Sequence, residues 1–260
     1  MGEVVTVRFV GAGPGAADLL TVRATRMLAE ADVVLYPGTY LDPEVLTHCA
    51  PDAELVDTQG LDLDRITDRL VAAHAEGREV VRLTSGDPSL YSALAEQTRR
   101  LDAHGVPWDV TPGVPAYAAA SALAGRELTV PLVAQSVVLT RTRARSTAMP
   151  DTESLAAFAA TRATLVLHLA IRRVRELMAE IEPEYGGDCP VVVVYRASQP
   201  GESVLHGTVA TIADAVEEAG LRQAAVILVG RALDPGKGGE SYLYGPDRPR
   251  VSDRPPGTTG

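Results

Sequence analysis

The chain has 260 residues, 46% of them apolar and 22% charged, with a formal net charge of -10. Those numbers describe a folded chain able to bury a substantial core, as one large or two modest domains, and exclude a disordered one. The negative balance argues against a protein that coats nucleic acid, although a locally basic cleft can still hold an acidic ligand.

The first element is the apolar, β-branched run from residue 4 to 10, long enough for a buried strand. It leads into the glycine loop GAGPGAADLL and then a helix over 21–31. There Leu20, Ala24, Met27, Leu28 and Ala31 share one face, and Thr21 is placed to cap the start. Strand, tight glycine turn and helix open a doubly wound α/β unit, whose turns gather ligands at the carboxyl ends of the strands.

Gly11, Gly13 and Ala16 fit the spacing G-x-G-x-x-G/A of a dinucleotide loop. Two features oppose that reading. Pro14 removes an N–H from the turn that would cradle a pyrophosphate. The second strand, 33–38, runs into Tyr36 and Pro37 where an acidic residue is expected. A purely structural turn remains open at this point.

Further on, 43–50 reads as a short helix and 54–58 as a strand. Residues 62–77 form an amphipathic helix through Leu63, Ile66, Leu70 and Ala73, stopped at Gly77. Strand 79–85 enters the sequence GDPSLY and a helix over 92–105. Strand 107–113 precedes the alanine-rich helix 115–125. This alternation predicts a parallel sheet covered on both faces.

A domain boundary is expected within 125–135, giving an amino-terminal domain 1–125 and a carboxy-terminal domain 126–233. The second set comprises strand 136–140, helix 153–161, strand 164–169, helix 172–181, strand 190–197, helix 208–220 and strand 224–230. The tail, 234–260, is rich in Gly, Pro and charge and reads as flexible.

Several strands end in Gly/Pro punctuation: Pro14-Gly15, Pro37-Gly38, Gly86-Asp87-Pro88 and Pro112-Gly113. Such loops converge on one sheet edge and let a ligand approach backbone closely; tight βα turns alone are the plain alternative. Asp87 could bind an amine, accept from a ribose hydroxyl or cap the next helix. Tyr91 and Tyr117 are pocket or core residues.

Arg141, Arg143 and Arg145, with Arg126 upstream, suit carboxylates; the alternative is a solvated loop. His168 inside a strand reads as a core histidine. The five histidines, and Cys49 and Cys189, show no metal-ligand spacing, so no metal is expected. The two distant cysteines suit a reducing compartment. With no signal-peptide pattern and no apolar run of membrane-spanning length, the expectation is a cytoplasmic protein without a membrane or nucleic-acid partner. No nucleophile elbow, phosphate loop or zinc-protease motif occurs, and no catalytic side chain is assigned.

Across residues 4–233 the chain resembles the tetrapyrrole (precorrin) methylase family. The marks are VGAGPGAADLLTVRATRML at 10–28, TSGDPSLYSALAEQ at 84–97, TPGVPAYAAA at 111–120 and AVILVGRAL at 225–233. A narrower likeness, to the branch acting at C11 of precorrin-4, rests on LYPGTYLD at 35–42, GDPSLY at 86–91 and the stretch 127–150.

The resemblance implies two α/β domains, the first largely parallel and the second mixed, with a ligand cleft between them. It also implies S-adenosyl-L-methionine as methyl donor, a precorrin or related tetrapyrrole as substrate, and a homodimer. By motif match the donor contacts are Pro14, Ser85, Gly86, Asp87, Leu90, Pro115, Ala116, Leu169 and Ala197. Ser85-Gly86 stands where the family often has two glycines, and Pro115-Ala116 where it often has hydroxyl residues; backbone contacts survive both changes. A precorrin carries acetate and propionate groups, which suit a cleft lined by some of Arg82, Arg126, Arg141, Arg143 and Arg145; these and Gly13 are the residues assigned to substrate.

Other open readings are a sister methylase acting on another precorrin, on cobalt-precorrin-4 or on uroporphyrinogen III, a nicotinamide-dependent oxidoreductase, and a non-catalytic binding protein.

Overall fold

Alternation of apolar side chains sorts the first sheet's two faces. In strand β1 (Val7–Gly11) every residue except Arg8 is buried, and Arg8 pairs with Glu79 at 3.1 Å. The computed structural model describes residues 5–38, 41–142, 149–234, 236, 238–242 and 244. Strands β2 (Val33–Tyr36), β3 (Glu54–Asp57), β4 (Val80–Thr84) and β5 (Trp108–Thr111) complete a five-stranded sheet of order β3-β2-β4-β1-β5, with every neighbouring pair parallel.

Val7, Phe9, Val33, Leu35 and Val80 face one way, onto Ile66 and Leu70 of helix α2 (Leu63–Ala75) and Leu101 of helix α3 (Leu94–Ala103). Val10, Val34, Val81 and Leu83 face the other way, onto Ala24 and Leu28 of helix α1 (Val22–Glu30). β4 lies between β2 and β1 with all five residues buried, as a strand covered on both faces requires. Helix α4 (Ala116–Ala124) follows β5.

The second sheet has the order β6-β7-β10-β8-β9, built from β6 (Val137–Arg141), β7 (Thr164–His168), β8 (Pro190–Tyr195), β9 (Ser203–Thr208) and β10 (Ala225–Val229). β6 and β7 are parallel while β7 and β10 are antiparallel, so this sheet is mixed, as expected. Its helices are α5 (Leu155–Ala159), α6 (Val174–Tyr185) and α7 (Ile212–Glu218).

The chain divides into two compact units. The first comprises 1–124 with 194–204 and 222–226; the second comprises 125–193, 205–221 and 227–260. Most of the tail lies outside the described residues.

Two elements differ from the sequence reading. The helix expected over 208–220 begins only at Ile212, because Thr208 closes edge strand β9 and residues 209–211 turn the chain into the helix. Helix α6 continues past Ile181 and through Pro183 to Tyr185. Tyr185 completes the buried stripe of Val174, Leu177, Met178 and Ile181, and its hydroxyl donates to the Ala163 carbonyl at 2.5 Å. Tertiary anchoring there outweighs the one helical hydrogen bond that Pro183 cannot make.

The expected cap forms: the Thr21 hydroxyl accepts from the Ala24 N–H at 3.1 Å. Thr21→Ala is expected to lower stability by about 1 kcal/mol, the ordinary contribution of such a cap. Thermal and urea unfolding of the variant measure it, and an unchanged midpoint would remove the cap from the account.

Candidate functional site at the carboxyl edge of the first sheet

The carboxyl ends of β1, β4 and β5 approach one another closely enough to require glycine. A Cβ on Gly11 would stand 2.6 Å from the Gly113 Cα and 2.8 Å from the Gly86 carbonyl oxygen. One on Gly113 would stand 2.8 Å from the Gly11 Cα. No side chain fits there without moving backbone. Gly13 and Gly86 adopt φ of +74 and +69 degrees, the left-handed region that glycine enters without strain.

Hydrogen bonds then join the loops. Gly86 N–H donates to the Gly13 carbonyl at 2.7 Å and Gly13 N–H to the Gly86 carbonyl at 3.2 Å. Asp87 extends the stitching to the β5 loop. Its Oδ2 accepts from the Gly113 N–H at 2.8 Å, and its Oδ1 from the Ser89 N–H at 2.8 Å and from the Ser89 hydroxyl. Burial alone would raise the Asp87 pKa, but these three donors outweigh it and hold the carboxyl below its ordinary value. Asp87 is thus an ionised strut between two loops, a poor candidate for a general base.

A third loop closes on the first. The Ser198 hydroxyl accepts from the Ala16 N–H at 3.1 Å, and Gln199 Nε2 donates to the Pro14 carbonyl at 2.8 Å. A Cβ on Gly15 would meet the Gln199 amide, 2.9 Å from its Cδ. Arg196 and Ser198 carry φ of +48 and +62 degrees, so this loop holds left-handed backbone at two non-glycine positions.

These bonds bear on the choice of ligand. In the glycine loop the Ala12 N–H donates to the Thr84 carbonyl, Gly13 to Gly86 and Ala16 to Ser198, and Pro14 has no N–H. A pyrophosphate cradle needs such N–H groups pointing outward. The G-x-G-x-x-A spacing therefore serves backbone packing. What the edge presents instead is the exposed Ser85, the half-buried Leu90, Pro115 and Ala116, and the exposed Tyr91. A neutral or cationic group such as an adenosyl sulfonium fits this mixture of apolar surface and carbonyl and hydroxyl oxygen better than a polyanion does.

The first unit brings together Gly13, Pro14, Ser85, Gly86, Asp87 and Ala197, with Pro115 and Ala116 directly after the Gly113 loop. Gly13, Pro14, Gly86 and Ala197 are buried. Leu169 belongs to the second unit; it is 65% exposed just after β7 with φ +54 degrees. Arg143 and Arg145 lie outside the described residues.

Arg126, in the second unit, has Nε on the Leu233 carbonyl at 2.9 Å and Nη1 on the Gly125 carbonyl at 3.0 Å. Arg141 ends β6 in register with His168, both half-buried; burial lowers the His168 pKa.

Arg82 corrects the sequence reading. It was expected at substrate carboxylates, yet it is 8% exposed within β4, on the face covered by α3. Its Nε donates to Gln97 Oε1 at 3.1 Å and its Nη1 to the Leu83 carbonyl at 2.9 Å. In the middle of a doubly covered strand its donors are taken up by interior acceptors.

Sequence reasoning missed Gln97, Ser198 and Gln199. Gln97 left a signal, being a polar residue on the Leu94–Leu101 stripe of α3; the other two left none.

Residues 6–213 match the family profile of the Tetrapyrrole (Corrin/Porphyrin) Methylases. A precorrin-4 C(11)-methyltransferase of Rhodococcus erythropolis is 51% identical over 248 residues, covering 95% of this chain and 100% of that one. Among solved structures, a cobalt precorrin-4 methyltransferase superposes with TM-score 0.86 at 38% identity, covering 88% of this chain and 96% of the other. A uroporphyrin-III C-methyltransferase from Thermus thermophilus, in complex with S-adenosylhomocysteine, superposes with TM-score 0.72 at 33% identity, covering 88% and 98%.

The strut gives a signed pH dependence. Because folding depresses the Asp87 pKa, its contribution is complete above the unfolded value of about 3.9 and disappears as pH falls through the lower folded value. Asp87→Asn should cost about 1–2 kcal/mol near neutrality, where a charge-assisted acceptor is lost at a half-buried position. Urea titrations from neutral pH into strong acid should show that deficit shrinking. A deficit independent of pH would rule out the charged strut.

Proposed function

From the premise that the chain belongs to the tetrapyrrole (corrin/porphyrin) methylase family, we infer that it methylates C11 of precorrin-4 with S-adenosyl-L-methionine. The product is precorrin-5, in cobalamin biosynthesis. The observation that carries this reading is the glycine-packed strand edge, where the N–H groups of Ala12, Gly13 and Ala16 are engaged by neighbouring loops, in a chain with half its residues identical to a precorrin-4 methylase.

The methyl donor supplies an electrophilic S–CH3 group: C11 forms the new C–C bond with macrocycle π electrons while the S–CH3 pair returns to sulfur, leaving S-adenosylhomocysteine. The chain's own residues bind and align. We assign Pro14, Ser85, Gly86, Leu90, Pro115, Ala116 and Ala197 to donor contacts of the first unit, with Asp87 holding the loops that display them. Alignment of nucleophile and methyl group, together with exclusion of water, is the contribution asked of them. No general base is required for carbon–carbon bond formation.

For the substrate we propose Arg126 and Arg141 as partners of peripheral carboxylates. The cobalt-bearing form of precorrin-4 is the second reading, favoured by the likeness to a cobalt precorrin-4 methyltransferase. A homodimer in the cytoplasm belongs to the same reading; no helix among the described residues is long and apolar enough to cross a membrane.

Offered precorrin-4 and cobalt-precorrin-4 in competition, the protein should methylate C11, located by NMR of the product. Methylation at another carbon would overturn the assignment. Arg141→Ala should raise the substrate KM about tenfold, the worth of one charge-assisted hydrogen bond, with the affinity for S-adenosylhomocysteine little changed. An unchanged substrate KM would remove Arg141 from the carboxylate contacts.

A further inference from the structure

Arg82 is a buried cation that the methyl-transfer reading leaves without a role. Its hydrogen-bond acceptors are neutral: Gln97 Oε1 at 3.1 Å, the Leu83 carbonyl at 2.9 Å and, more weakly, the Leu35 carbonyl at 3.5 Å. Desolvation lowers its pKa to about 10, so it remains protonated at neutral pH. Placing a guanidinium in the core without a carboxylate beside it is costly, and an apolar side chain would fill the same space.

The contact fixes Gln97. A guanidinium has only donors, so Gln97 must turn its oxygen toward Arg82 and its amide nitrogen away. That Nε2 then donates to the Ser92 and Ala93 carbonyls, each at 3.2 Å. Gln97 is only 1% exposed, so the amide has little freedom to reorient.

The two carbonyls end a strained segment. Tyr91 and Ala93 have φ of +54 and +57 degrees, two left-handed non-glycine residues within three positions. Such backbone persists only where its surroundings over-determine it. Ala93 also occupies the N-cap position of α3 without a capping side chain. The segment's front end is held by Asp87 through Ser89, and the Leu90 N–H donates to the Asp87 carbonyl at 3.2 Å. Between the two anchors the chain displays Leu90 and Tyr91.

We propose that Arg82 and Gln97 are positioning residues for the methyl donor: Arg82 orients the Gln97 amide, and Gln97 holds the 89–93 segment in the shape that presents Leu90. The inference rests on the methyl-donor reading of this edge. It moves Arg82 from the substrate to the interior support of the donor site.

Gln97→Glu separates the two halves of the network. The carboxylate still accepts from Arg82, gaining an ion pair, but has no N–H for the Ser92 and Ala93 carbonyls. The variant should therefore fold with a Tm near that of the parent protein. Its Kd for S-adenosylhomocysteine, measured calorimetrically, should rise about tenfold, as loss of one to two ordinary hydrogen bonds implies. KM for S-adenosylmethionine should rise in parallel with kcat little changed, and hydrogen exchange at the Leu90 amide should accelerate without ligand. Arg82→Met, which removes the partner of the Gln97 oxygen, should weaken binding in the same direction if it folds.

Parent protein that binds while Gln97→Glu binds within about twofold of it would overturn the inference alone. Parent protein that binds no S-adenosylhomocysteine would overturn the donor reading and the inference with it.

Discussion

The backbone contact among Gly11, Gly86 and Gly113 is the constraint on which the rest of the first unit depends. Three adjacent strands leave the sheet so close together that a Cβ on Gly11 or Gly113 would occupy its neighbour's backbone, while Gly86 between them takes a left-handed φ of +69 degrees. Approach at that distance brings N–H and C=O groups of different loops within reach of each other, and the Gly13–Gly86 pair and the Asp87–Gly113 bond follow from it. The edge is pre-organised by its covalent minimum, the absence of Cβ atoms, before any ligand arrives.

That economy limits the chemistry the edge can perform. N–H groups of Ala12, Gly13 and Ala16 that bond to neighbouring loops are not offered to a phosphate, and an aspartate that accepts three hydrogen bonds is held ionised as a strut. What remains is placement. Methyl transfer from a sulfonium to an electron-rich carbon is a reaction whose catalysis rests on placement, because the leaving group needs no proton and the nucleophile is supplied by the substrate. A rigid edge with apolar walls therefore matches this reaction class better than acid–base or phosphoryl chemistry.

Much of the scaffold was legible because local and tertiary signals agree. Thr21 and Asp62 both cap the helices they precede, and the Ile66–Leu70–Ala73 stripe faces the core. Strand β9 was hidden by its short apolar core, Val204 and Leu205, followed by His206 and Gly207, a pattern too brief to mark a strand yet tolerated at a sheet edge. Helix α6 outran its proline because Tyr185 has a buried partner that periodicity does not show. Within the site, the Gly/Pro punctuation located the edge, yet the bonds that join one loop to another have partners far apart in the chain. The Asp87–Gly113 and Ala16–Ser198 bonds span 26 and 182 residues, and no spacing rule encodes them.

Arg82 shows why charge in a sequence is weak evidence for a ligand. Most arginines with clear partners in this chain have surface carboxylates: Arg78 with Glu54, Arg100 with Asp64, Arg175 with Asp214 and Glu217, and Arg231 with Asp188. Surface pairs of this kind contribute little to stability. In β4 the alternation of faces would have admitted an apolar residue at position 82, so its charge is informative only through what it touches. It touches the amide that braces a left-handed segment, and that segment carries a residue assigned to the methyl donor. A buried cation with neutral acceptors is costly to keep as packing, and the cost becomes intelligible when the cation's geometry, more than its charge, sets the orientation of the next group.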